Sequence, residues 1–60
     1  MHSYINVIEE TESILKRLEN GEIKPEFAKS EILYMINAAK TMRELKMTYA
    51  AYEQVALRKS

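Results

Sequence analysis

The stretch PEFAKSEILYMINAAKTMRELKMTYAAYEQVAL, residues 25–57, decides how the chain is read. After Pro25 it holds neither Gly nor a further Pro, and Ala, Leu, Met, Glu, Lys, Arg and Gln dominate it. These side chains lose little freedom in a helix. Pro25 suits a first helical turn, where its missing N–H would be unpaired anyway. Glu26 and the pair Arg58 and Lys59 complement the helix dipole at the two ends. The composition predicts one helix over 25–57, about 50 Å long at 1.5 Å per residue.

One apolar row runs along it: Ala28, Ile32, Met35, Ala39, Met42, Leu45, Tyr49, Tyr52, Ala56. Its steps alternate four and three, with consecutive threes only around Met42. This is a coiled-coil seam with a local phase slip. Ile32-Leu33-Tyr34-Met35-Ile36 is apolar all round the helix, which calls for burial on more than one side. Leu33, Ile36, Met47 and Ala51 make a looser second stripe. Ser30, a residue able to cap a new helix, is the place where a break is expected if there is one.

Upstream, Ser3 is a fair N-cap, and Tyr4, Val7, Ile8, Thr11, Ile14, Leu15 and Leu18 form one apolar stripe. Ile5 falls outside it. Asn20-Gly21 reads as a helix C-terminus, because Gly adopts the left-handed conformation without a Cβ penalty. Ile23 is placed to pack on Phe27 or Ala28 and close the turn. The expected fold is all-α: a single antiparallel helical-hairpin domain over 1–60, with a helix over 3–20, a turn over 21–24 and a helix over 25–57. In that register helix 1 ends opposite Met42, so 45–57 project beyond it by roughly 20 Å. A twofold pair of hairpins would cover both projections, giving a dimeric helix bundle.

Composition narrows the function. Sixty residues without Cys have no disulfide staple, and a chain of this size is marginally stable on its own. Nine basic and nine acidic side chains balance, but residues 1–23 carry a net −3 and residues 24–60 a net +3. The two helices therefore attract one another. The longest charge-free run, residues 32–39, is far below the ~20 residues of a membrane span. Met1-His2-Ser3 has no basic, apolar signal-peptide character. No membrane association, metal or cofactor is expected, and the absence of Cys suits the cytoplasm.

No catalytic constellation is legible. His2 is the sole histidine and Asp is absent, so no Ser–His–Asp arrangement can be built. Glu9, Glu10 and Glu12 point in different directions on a solvated helix face. Lys29, Lys40, Arg43 and Lys46 lie along the outer side of the expected helix over 25–57 and would be the contact residues of a small nucleic-acid-binding regulator, the alternative function. The leading expectation is a non-enzymatic homo-oligomer, a dimer, that also binds a protein partner. Its interface is expected at Leu33, Ile36, Leu45, Met47, Tyr49, Tyr52, Val55 and Ala56, where Tyr rings with one polar tip suit a contact surface.

The segment Leu18-Glu-Asn-Gly21-Glu-Ile23-Lys-Pro25-Glu-Phe-Ala28, with Ile32 and Asn37-Ala38-Ala39-Lys40 after it, resembles a pattern in small helical early-region accessory proteins of temperate, lambda-like phages and prophages. The resemblance covers roughly half the chain. It implies an accessory regulator, expressed early, that acts on host physiology or the lysis–lysogeny decision by binding another protein. It implies no catalytic residues.

Overall fold

The computed structural model describes residues 5–58. Ser3 and Tyr4, the expected start of helix 1, lie outside them, as do His2 and Lys59. The described residues form three helices: α1 (Val7–Glu19), α2 (Pro25–Ala38) and α3 (Met42–Ala56). All three pairs of helices are in contact, within extents of 35 × 25 × 14 Å.

α1 begins at Asn6, whose side-chain oxygen accepts from the Glu9 N–H at 3.1 Å. Glu9 and Glu10 stand in its first turn and Lys16 and Arg17 in its last, each complementing the dipole. Its end is a Schellman motif: the Glu22 N–H donates to the Arg17 carbonyl at 2.8 Å and the Gly21 N–H to the Leu18 carbonyl at 3.1 Å. Gly21 sits at φ 78° with nothing within 4 Å of where a Cβ would be. Its glycine is required by backbone conformation, not by crowding.

The expected single helix over 25–57 is divided. α2 stops at Ala38, Ala39 is extended (φ −66°, ψ 136°), and α3 restarts behind Thr41. The break is held by a capping box. The Thr41 hydroxyl accepts from the Glu44 N–H at 3.1 Å, and Glu44 Oε1 accepts from the Thr41 N–H at 3.3 Å. The same carboxylate oxygen accepts from the Lys40 N–H at 2.8 Å. The break thus falls near Thr41 and not at Ser30. The chain then doubles back, so 45–57 do not project beyond helix 1. They lie against α1 and α2.

The core is one cluster in which Ile14, Ala28 and Ile32 are fully excluded from solvent. α1 contributes Val7, Thr11, Ile14 and Leu18, the centre of its expected stripe. α2 contributes Ala28, Ile32 and Met35, three residues of the expected seam. Ile23 is half-buried and packs against this cluster. α3 departs from the expectation: it buries Thr48, Ala51 and Val55. At 100° per residue that face lies about 110° around the helix from Met42, Leu45, Tyr49, Tyr52 and Ala56.

The two buried threonines differ. Thr48 Oγ1 lies 2.9 Å from the Glu44 carbonyl and 3.0 Å from the Leu45 carbonyl, so its proton stays within the helix. Thr11 Oγ1 is buried with no hydrogen-bond partner.

Candidate interaction surface

Rotating α3 so that its small residues face inward leaves its larger apolar side chains outside. Met42 is 67% exposed and Tyr49 54% exposed. Leu45 and Tyr52 are half-buried, and Tyr52 packs against the core from its rim. With Ala56, which is exposed, these residues fall within an arc of about 80° on one flank of α3.

Neighbouring grooves show which way that flank looks. Gln54, on the opposite flank, lines a groove with Glu12, Ser13, Leu15, Lys16 and Glu19 of α1. The flank carrying Leu45, Tyr49 and Tyr52 is therefore turned toward α2. On α2, Glu31 and Tyr34 line a groove with Ile5, Asn6, Glu9 and Glu10 at the start of α1. The other flank of α2, with Ile36 half-buried and Leu33 46% exposed, is turned toward α3. By angular position both flanks lie on the α2–α3 side of the bundle.

Six of the eight expected interface residues belong to this surface: Leu33, Ile36, Leu45, Tyr49, Tyr52 and Ala56. Val55 does not, being 1% exposed and part of the core. It faces inward because the break lets α3 turn its Thr48–Ala51–Val55 side to the other helices. Met47 is half-buried and, by angular position, lies on the α1 flank beside Gln54. Met42 belongs to the surface and was absent from the expected interface, although its place in the apolar row marked it.

The expected basic strip is not continuous. Lys29, Lys40, Arg43 and Lys46 are all exposed. The break leaves Lys29 on α2, Lys40 in the connection, and Arg43 and Lys46 in the first turns of α3. Cations there oppose the helix dipole instead of extending one cationic face.

The groove between α1 and α2, with a volume of ≈ 610 Å³, is open and carries Glu9, Glu10 and Glu31 beside Ile5, Tyr34 and Met35. Glu12 points elsewhere, into the α1–α3 groove. Among the described residues no three His, Cys, Asp or Glu side chains are placed to hold a metal ion. Among them, too, no helix is long and apolar enough to cross a membrane. Compared with family models, with curated proteins and with solved structures, the chain matches none.

Proposed function

We propose that the chain is a non-enzymatic, self-associating helical interaction module whose working surface is the outer α2–α3 seam. One observation carries the proposal. Leu33 on α2 and Met42 and Tyr49 on α3 stand 46%, 67% and 54% exposed, beside half-buried Ile36, Leu45 and Tyr52. Large apolar side chains left exposed on so small a domain mark a contact site. Aromatic and Met side chains of this kind are enriched where proteins meet. The resemblance of the Gly21–Pro25 turn and the following helix to early-region phage proteins supports an accessory regulator that acts in the host cytoplasm through a host protein.

Light scattering over a concentration series tests the reading, with Tyr49→Glu as the matched variant. The expected result is a wild-type mass above one chain that falls to one chain in the variant, with helicity unchanged. A wild-type mass of one chain at every concentration overturns self-association. The nucleic-acid reading has weaker support, because Lys29 is separated from the other three cations. A salt-sensitive gel shift with nonspecific DNA at low ionic strength would restore it.

A further inference from the structure

We propose that the occupant of this surface is a second copy of the chain, with α3 packed antiparallel on α3 about a twofold axis passing near Ala50. The inference rests on the self-association reading and adds its geometry.

Three features of α3 point to it. First, Met42, Leu45, Tyr49, Tyr52 and Ala56 are spaced three and four residues apart without a slip, which is the heptad seam of a paired helix. The phase slip in the longer row belongs to the break between α2 and α3, so α3 by itself carries a regular seam. None of the five is buried in the core.

Second, the charges beside the seam are self-complementary. Lys46 and Glu53 are exposed and one heptad apart, so both sit on the same outer edge. They lie equally far on either side of the Tyr49–Ala50 peptide. A twofold interface pairs a surface with itself, so residue i meets j and j meets i. In an antiparallel pair, Lys46 approaches the partner's Glu53 and Glu53 the partner's Lys46. In a parallel pair the edge carrying Lys46 and Glu53 would face the partner's other edge, with Thr41 and Thr48, and neither charge would meet a counter-charge.

Third, the packing is feasible. A groove on α3 is lined by Met42, Leu45, Lys46, Tyr49, Ala50 and Glu53, so the seam and its charged edge bound one recess. In the antiparallel register Tyr49 lies beside the partner's Tyr52, and Leu45 beside the partner's Ala56. Offset aromatic contacts of this kind favour association beyond the area they bury.

The test is a charge exchange on the full-length chain, read by sedimentation equilibrium, with circular dichroism confirming that each variant is folded. Lys46→Glu and Glu53→Lys alter exposed residues outside the core. Each alone turns two attractive contacts into two repulsive ones, and the expected effect is a dimer about tenfold weaker or more. An equimolar mixture of the two variants should form a heterodimer, and the double variant Lys46→Glu/Glu53→Lys should return to the wild-type constant.

Single variants as tight as wild type, or a mixture as weak as its components, overturn the antiparallel arrangement. If Tyr49→Glu still abolishes the dimer in that case, self-association through this surface stands and only the geometry falls. A monomeric wild type overturns both. The chain contains no Cys, so a second readout is available at seam positions outside the core. Leu45→Cys mixed with Ala56→Cys should oxidise mainly to the mixed disulfide in an antiparallel pair. Predominant self-disulfides would indicate a parallel one.

Discussion

α1 and α3 are close in length, 13 and 15 residues, yet they use their apolar residues in opposite ways. α1 has one apolar stripe, and its central residues Val7, Ile14 and Leu18 are buried at 2%, 0% and 6% exposure. α3 has two candidate faces. It buries the smaller and more polar one, Thr48–Ala51–Val55, and leaves Met42, Tyr49 and Leu57 exposed. The size of an apolar face does not decide its burial. What decides is fit to neighbours already in place. Two helices pack closely when small side chains stand at the contact, and a third helix docking on the α1–α2 pair is accommodated best through Ala51 and the two slim β-branched residues beside it.

The largest effect expected from this contrast is at the centre of the core. Ile32→Ala should lower unfolding free energy by about 2–5 kcal/mol, enough to unfold much of so small a domain. Tyr49→Ser on the outer face should leave the stability of the dilute monomer within about 0.5 kcal/mol of wild type. Chemical denaturation at low concentration measures both. A loss at Tyr49 equal to that at Ile32 would mean that Tyr49 faces the core.

The next effect concerns the break that permits the contrast. Thr41→Ala removes the hydroxyl that accepts from the Glu44 N–H and should cost about 1 kcal/mol. Melting temperature would fall by roughly 4–8 °C. An unchanged or raised melting temperature would show that a continuous helix over 25–57 competes with the three-helix arrangement.

The smallest effect has the opposite sign. Thr11→Val keeps the shape of a fully buried side chain and removes a hydroxyl that has no partner. An unpaired buried polar group costs on the order of 1–3 kcal/mol, so part of that should return as stability, about 1 kcal/mol. The same change at Thr48 should give no gain, because its hydroxyl is already bonded to its own helix. Thermal unfolding of the pair separates the two cases.

Much of the architecture was legible in local chemistry. The all-helical class, the α1 stripe, the Gly21 turn and Pro25 at the start of α2 all follow from propensity and spacing within a few residues. The end of α2 was harder, because residues 39–41 contain neither Gly nor Pro. Two signals were nevertheless present. Thr41-Met-Arg-Glu44 has the spacing of a capping box, and the apolar row slips phase at Met42, where α3 begins. The slip recorded the start of a new helix. Of the expected interface residues, Leu33, Leu45, Tyr49 and Tyr52 lie outside the buried core and were singled out because they are apolar at helical spacing. Val55 was misplaced for the same reason, since spacing alone does not separate a core face from a docking face.

By itself, the sequence determined the helical content, the register of α1, the left-handed turn at Gly21 and the presence of two apolar faces along residues 42–57. Each depends on dihedral preferences and hydrogen bonds that span at most a turn or two. Only the tertiary structure decided that the long stretch ends at Ala38 and that Val55, not Tyr49, faces inward. A cap changes the local balance by about 1 kcal/mol, whereas burying a face against two other helices contributes several. That larger contribution depends on surfaces brought together from residues far apart in the chain.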